Sequence, residues 1–581
     1  MKREFGTPVT FDGCVGFIHD GGGTTGVVML PAWGFEEMTI RRGWAAFADR
    51  LAQAGYCCLR FDWPGAGDSL GNTSDGISLN DWLDAVRTAA ELLRGHHGVT
   101  KIVLLGHGIG GLIAPHCALS TSASAVVQMA PQNQGRAGMR ELEILGRMIG
   151  SFLGLPGNPS KETIEIGGHS MSAALAKEIS ELRIVEGSQL GSEIPLLAVL
   201  RSGAPGAAEW PQRLSSAGFV VSTEIYAGAD GFLSYSQASV PPVACFDQVR
   251  SWLVATMPPG NRAAAAQPQP VIQALQGDGY SEKPLLFGAD GRLFGILCLP
   301  EAQAPRATIL LINSGDNYHI GWARMHVDFA RALAARGIAS FRIDTGGIGD
   351  AASIEGHAYY VEAQALDVME AVTTVEAMRL GPILVSGRCS GGYAAVQTAV
   401  ADPRIRGLVA VNTVRLGLSP DETFEDILKG GTSSVADYRR RALSFQTIMD
   451  ILSGRKSLRL LAAKAAHLVK AQLSARFPRL FGALDGSSTL TQEIRRQARE
   501  LQARDVSVFL VYGENDGGLD ELTRHFGKRD AAAYGHATVR IVSNAEHNMT
   551  APHARQAILE ALIDAVVAVE GLGQPGAVSA S

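Results

Sequence analysis

Residues 47–69, FADRLAQAGYCCLRFDWPGAGDS, and residues 329–351, FARALAARGIASFRIDTGGIGDA, align without a gap, 282 positions apart (329 minus 47). A chain that carries one supersecondary pattern twice is expected to fold it twice, so the repeat constrains the architecture more than any single residue does. Each segment reads as an amphipathic helix ending at Gly55 or Gly337 and an apolar strand ending at Asp62 or Asp344. A glycine-rich turn follows, closing with Gly67-Asp68 or Gly349-Asp350. An apolar strand precedes each unit, GVVMLP (26–31) and TILLINSG (308–315). A helix follows, LNDWLDAVRTAAELL (79–93) and VEAQALDVMEAVTTVEAM (361–378), then another strand, KIVLLGH (101–107) and GPILVSGR (381–388). This alternation predicts βαβ units and a mostly parallel sheet in each copy. Strands without polar alternation imply helices on both faces.

The 581 residues exceed what one hydrophobic core serves, in line with two domains. The expected organisation is a first domain over 1–257 and a linker over 258–282. The second domain then spans 283–570, with a frayed tail over 571–581. The linker reading rests on MPPGNRAAAAQPQPVIQALQGDGY (257–280), rich in Pro, Gly, Ala and Gln. Each copy carries an insert expected to act as a cap, about 132–193 and about 413–505. The second insert is helical in pattern and basic, compatible with a solvated face or with attraction of an anionic substrate. A net charge of −6 gives no reason to expect nucleic acid or an anionic membrane as partner. The start, MKREFGTPVTFDGC, has no apolar core of a signal peptide. The cysteines are Cys14, Cys57, Cys58, Cys117, Cys245, Cys298 and Cys389. Their odd number and lack of metal-knuckle spacing suggest reduced thiols in the cytoplasm, with no metal and no cofactor.

The chemistry concentrates where the strand 381–388 meets the next helix, VSGRCSGGYAAV (385–396). Glycines flank Cys389 at fixed spacing in Gly387-Arg388-Cys389-Ser390-Gly391-Gly392. A sharp strand-to-helix turn needs small neighbours around a nucleophile. A nucleophile at a helix start is placed where the helix dipole favours a thiolate and an oxyanion. Ser390 is the alternative nucleophile, one position late in that frame.

The second half resembles the α/β-hydrolase superfamily, and the first half resembles its scaffold. The expected fold class is therefore α/β, with two tandem α/β-hydrolase domains. More narrowly, INSGDNYHIGWARMHVDFARALAARGIASFRIDTGGIGDA (312–351), SGRCSGGYAAV (386–396) and the insert segment 436–466 resemble exosortase-system-associated hydrolases of bacterial exopolysaccharide loci. Those proteins also place cysteine in the turn. The loop SGDNYHIGW lacks their usual Gly-Pro-Gln. The turn is also similar to that of the dienelactone hydrolases, which use a Cys-His-Asp triad. The superfamily order of nucleophile, acid, base places the acid after VSVFLVY (506–512). Asp516 is the best placed, with Glu514 and Asp520 as alternatives. The base is expected after ATVRIV (537–542), at His547. His553 falls inside the final helix and reads as surface. The oxyanion donors are expected to be the N–H of Ser390 and that of Gly315 or Asp316, with Tyr318 and His319 lining the mouth as substrate-binding residues.

At the matching places the first copy has Gly108 in VLLGHGIGGLIA (103–114), Ser202-Gly203-Ala204-Pro205 after a late strand, and Gly231 where His547 would fall. Losing all three members implies a retired site, kept for structure and expected to pack against the second copy through an apolar interface. His107 and Asp230 retain binding groups there. The resulting expectation is an acyl-transfer enzyme, hydrolase or acyltransferase. It would act on an ester, thioester or lactone, and acyl thioesters and saccharides are among its candidate substrates. A non-catalytic scaffold, a lactonase or a redox-sensing thiol are the alternatives.

Overall fold

The computed structural model describes residues 6–132, 134–153, 155, 162–183, 194–204, 206–234, 236, 239–262, 272–315, 317–352, 362–418, 487–527 and 537–572. Most of the second insert therefore lies outside the described residues, as does the tail beyond 572.

Two parallel sheets share one strand permutation. In the first, the parallel strands run in the order Cys57–Phe61, Thr25–Leu30, Lys101–His107, Ala123–Met129, Pro195–Leu200 and Val220–Ile225. In the second the order is Ala339–Asp344, Thr308–Ile312, Ile383–Arg388, Ile405–Val411, Ser507–Gly513 and Thr538–Val542. Antiparallel strands precede each set, Thr7–Phe11 with Cys14–Asp20, and Tyr280–Phe287 with Leu293–Pro300. Thr25–Leu30 and Thr308–Ile312 are buried along their whole length, as a strand covered on both faces requires. The helix Leu79–His97 starts at a capping box in which Ser78 and Asp81 satisfy each other's backbone N–H groups, and stops at Gly98 in the left-handed region. The first insert forms the helix Gly135–Leu153, a hairpin Thr163–Ile166 with His169–Ser172, and the helix Ala173–Glu181. Part of the stretch read as linker is ordered, since Leu275 pairs with Glu282 and Gln276 with Ser281. Period-2 alternation is absent there because the pairing is only two residues long.

By contacts the chain divides into two compact units, and the division does not follow the repeat. The first comprises Met1–Glu301, Asp316–Arg331 and Gly346–Ser353; the second comprises Ala302–Gly315, Ala332–Thr345 and Ile354–Ser581. Inside the first unit a buried ionic network engages the aspartates of both Gly-Asp turns. Arg41 donates through Nη2 to Asp350 Oδ2 at 2.9 Å and through Nη1 to Glu37 Oε1 at 3.0 Å, and also pairs with Asp62. Arg60 lies 2.6 Å from Asp350 Oδ1. Burial alone would raise the Asp350 pKa, but the Arg41 and Arg60 guanidinium groups outweigh it and hold the carboxyl well below its usual range. The matching Asp68 meets His319 Nε2 at 2.5 Å, with both side chains fully buried. Arg324 donates to the carbonyls of Gly67, Ser69 and Gly71. The 317–331 and 346–352 segments thus bring charged groups into this unit, beside apolar ones such as Trp322, whose ring meets Phe35 at 6.0 Å between centroids. An apolar share exists in the Phe17–Phe294 ring pair, 4.9 Å between centroids.

Removing one member of such a network leaves uncompensated buried charge, which costs about 3–5 kcal/mol. Arg41→Met should therefore lower the urea midpoint of the first unit's unfolding by a corresponding amount. Arg87→Met, in the exposed Asp84/Glu91 pair, should leave the midpoint within error.

Candidate active site

The strand Ile383–Arg388 ends at Cys389, which caps the helix Ser390–Ala401 with φ 54° and ψ −117°. A cysteine in this left-handed region is strained and must be held by its surroundings. Its N–H donates to Val411 O at 3.0 Å, and its carbonyl accepts from Tyr393 N at 3.1 Å. The flanking glycines are steric necessities. A Cβ at Gly387 would lie 2.3 Å from the Gly391 backbone, and one at Gly391 would lie 2.4 Å from Asn313 O. The glycine frame in the sequence thus reflects backbone packed on backbone.

Two loops meet near this turn. Asp516, 2% exposed, follows the strand Ser507–Gly513. Its Oδ1 accepts from Gly518 N at 2.8 Å, and its Oδ2 lies 2.6 Å from His547 Nδ1. Burial works to lower the His547 pKa. The Asp516 carboxylate and Cys389 outweigh it and lift the value to about 10, with hydrogen bonds from His547 to both. The structure thus brings Cys389, His547 and Asp516 together. Glu514 instead accepts from Asn515, and His553 is exposed and bonds Ser543 O.

Sequence reasoning did not find the residues that fix this arrangement. Asn412, fully buried, donates to His547 O at 2.9 Å and accepts from Gly513 N at 2.8 Å, tying the base loop to the acid strand. Arg388 donates to Asn548 Oδ1 at 2.9 Å. Their only available sequence signal was position, at the ends of the strands beside the turn.

Four expected roles need revision or fall elsewhere. The Gly315 N–H donates to Ser390 Oγ at 2.8 Å, so it is engaged within the protein and not free for an oxyanion. Asp316 lies outside the described residues. Tyr318 is 1% exposed with its OH on Glu37 Oε2 at 2.9 Å, and His319 is fully buried on Asp68. Both side chains are engaged by first-copy carboxylates in the first unit, contrary to a role lining a mouth.

In the first copy, Gly108 holds the same backbone conformation, φ 54° and ψ −116°, and its N–H donates to Met129 O. Glu36 occupies the space a side chain at 108 would take, since a Cβ at Gly108 would meet Glu36 Oε1 at 2.4 Å. That carboxylate lies 2.7 Å from His107 Nδ1, and His107 Nε2 lies 3.1 Å from Tyr226 OH. Asp230 projects into solvent, its side chain 97% exposed. A further group, Asp20, Cys57 and His97, has ligand-type atoms within 4.8 Å of one another. Arg262 Nη2 already sits 2.6 Å from Asp20 Oδ2, so a guanidinium supplies the positive charge there.

The strand order and the strand–turn–helix at Cys389 are those of an α/β-hydrolase. The model of the serine aminopeptidase, S33, family matches residues 37–176 and 303–551, well over half of the chain. The chain belongs to that family. No curated protein matches it. Among solved structures it is similar to Est1E from Butyrivibrio proteoclasticus with ferulic acid bound. That match has 16% identity and a TM-score of 0.32, over 43% of this chain and 99% of that one. A putative lipase from Acinetobacter baumannii AYE matches at 18% identity and a TM-score of 0.31, over 51% and 93% of the two chains. No helix among the described residues is long and apolar enough to cross a membrane.

Two outcomes follow from this geometry. Gly108→Cys should lower the thermal midpoint, because the new side chain displaces Glu36 from His107, and should add no turnover. The raised His547 pKa means the folded chain binds that proton more tightly than the unfolded chain. The associated stability is complete below about pH 6.5, the ordinary value, and is lost as pH rises through about 10. Thermal midpoints measured across this window should fall more steeply in the wild type than in Asp516→Asn, which lacks the charge that raises the pKa.

Proposed function

We propose that the protein is a Cys-His-Asp acyl-transfer enzyme that forms an acyl-cysteine intermediate. The observation that supports this most is the placement of Cys389 at the strained turn beside the His547–Asp516 pair. Ser390, the competing nucleophile, is 1% exposed, and its hydroxyl is engaged by Gly315. Cysteine exposure agrees. Cys14, Cys57, Cys58, Cys117, Cys245 and Cys298 are buried, while Cys389 is partly exposed. Burial pushes the thiols of Cys14, Cys57, Cys117 and Cys245 up to about 12.

In this reading His547 takes the Cys389 proton and Asp516 orients the ring through Nδ1. The thiolate sulfur bonds the substrate carbonyl carbon, whose oxygen becomes the oxyanion, held in part by the free Ser390 N–H at the helix start. Collapse expels the alcohol or thiol, protonated by His547, and leaves the acyl group on Cys389. Water or a second acceptor then attacks, with His547 as base, and Cys389 departs as thiolate. Because a thiolate is itself a good leaving group, the first step favours thioesters, activated esters and lactones over plain esters. The acyl-cysteine is also open to transfer. The family's name refers to serine, so the cysteine is the point on which this chain departs. Reduced thiol usage supports a cytoplasmic setting.

Turnover of a panel of acyl thioesters, aryl esters and lactones tests the reading. Cys389→Ala and His547→Ala should each abolish it, since the two act as one unit. Asp516→Asn should lower kcat by about 10⁴, as loss of a triad carboxylate does elsewhere. Iodoacetamide near pH 6 should label one thiol, Cys389. Full activity in Cys389→Ala would reject the proposal.

A further inference from the structure

Away from the nucleophile turn, one end of the first sheet gathers three groups of different chemistry. Asp20 closes the strand Cys14–Asp20, Cys57 opens the strand Cys57–Phe61, and the two pair directly across the antiparallel ladder. His97 is the last residue of the helix Leu79–His97. A carboxylate oxygen of Asp20, the Cys57 sulfur and a His97 ring nitrogen all lie within 4.8 Å of one another. We infer that these three residues form a binding site for a divalent cation of the zinc class, which enters by displacing the Arg262 guanidinium.

An orphaned nitrogen points to a ligand. His97 is 6% exposed, and its Nδ1 is buried without a hydrogen-bond partner. Asp20 Oδ2 stands 3.8 Å from it, too far for a hydrogen bond. Buried polar atoms are normally paired, and a metal satisfies a ring-nitrogen lone pair as well as a donor does. Tetrahedral zinc, with bonds of about 2.0–2.3 Å, sets its ligands roughly 3.3–3.8 Å apart, so these two atoms already have the spacing of ligands to one ion. Thiolate, imidazole and carboxylate are donors that zinc takes, whereas sulfur and nitrogen suit neither calcium nor magnesium. The three ligands come from three separate elements, so none of the short spacings by which a metal site is read from sequence is present.

The exchange conserves charge. With Arg262 in place, its Nη2 donates to Asp20 Oδ2 at 2.6 Å, and burial keeps Cys57 a thiol by pushing its pKa up to about 12. With a dication in place, the Asp20 carboxylate and the Cys57 thiolate balance its two charges. The thiol proton passes to the buffer, and the guanidinium moves out to water, giving up its bonds to Asp20 and to His97 O. The setting allows that movement. The Arg262 and Asp20 side chains are 19% and 31% exposed, so the pair opens to solvent. The Arg262 backbone stays anchored, since its N–H donates to Gly22 O at 3.0 Å. Three protein ligands leave a fourth position for water.

Cobalt(II) titration of the full-length chain tests the site, in the Cys389→Ser background so that the partly exposed thiol contributes nothing. A thiolate-to-cobalt charge-transfer band should grow and saturate at a single equivalent, and added zinc should abolish it. Cys57→Ser and His97→Gln should each lose the band. Arg262→Gln, which removes the competing cation and leaves the Asp20 charge uncompensated, should bind cobalt about 10-fold more tightly, still at a single equivalent. A loss of fold in the ligand variants does not produce that gain. No band in either the parent or Arg262→Gln would overturn the inference. A band kept in Cys57→Ser would also overturn it, by placing the metal on another thiol, and unchanged affinity in Arg262→Gln would overturn the exchange.

Discussion

The close packing of the 387–391 turn on its neighbours is the constraint from which the rest of the site follows. Gly387 touches the Gly391 backbone, Gly391 touches Asn313 O, and Cys389 is forced to a positive φ between them. Any larger residue at the two glycines would push the helix off the sheet. That contact leaves the Cys389 side chain partly exposed beside Tyr393 and Val414, while the other six thiols are buried. It also brings the loop after Thr308–Ile312 within reach of the Ser390 hydroxyl. These backbone-to-backbone contacts thus set nucleophile exposure and helix start together.

The same contact is built at Gly106, Gly108 and Gly110, where no reaction is expected. A Cβ at Gly110 would lie 2.5 Å from Pro31 O, much as one at Gly391 would lie 2.4 Å from Asn313 O. The turn is therefore a structural requirement of this sheet order, and the nucleophile is a separate addition to it. Glu36 fills the space beside Gly108 next to the fully buried His107, and the Glu36–His107–Tyr226 chain satisfies polar atoms that would otherwise be buried and unpaired. The carboxylate sits in the first turn of the helix Phe35–Gln53, where the helix dipole favours it.

Features carried by local pattern were legible in the sequence. The first three parallel strands of each copy, the two late strands of the second, the glycine frame, and the positions of Asp516 and His547 all rest on periodicity and chain order; the strands Ala123–Met129 and Ile405–Val411 were not read. What the sequence did not reveal depends on partners far apart along the chain. Asn412 reaches the base loop across more than a hundred residues, and nothing around it in the sequence marks a buried asparagine. Tyr318 and His319 follow a strand where site residues are commonly found, and loop polarity suggested exposure. Their burial is decided by Glu37 and Asp68, some 250 to 280 positions earlier. Gly315 was read as a donor because backbone amides in that loop often serve so; the Ser390 hydroxyl that engages it is visible only in three dimensions. The Gly-Asp repeat was read correctly as a turn, but its carboxylates gave no sign of their cationic partners.

That last point bears on how the two copies depend on each other. Asp68 and Asp350 occupy equivalent places in the repeat, yet they are neutralised differently, one by a histidine and one by two arginines. Every one of these groups is almost fully buried, so none can lose its partner without leaving a charge in a low-dielectric interior. Arg41 and Arg60 come from the first copy and Asp350 from the second, while His319 comes from the second and Asp68 from the first. Each carboxylate is therefore neutralised by groups of the other copy, and changing either one leaves an unpaired buried group in that other copy. The two Gly-Asp turns are thus bound to each other's copy by charge, whatever stands at the nucleophile turn of either.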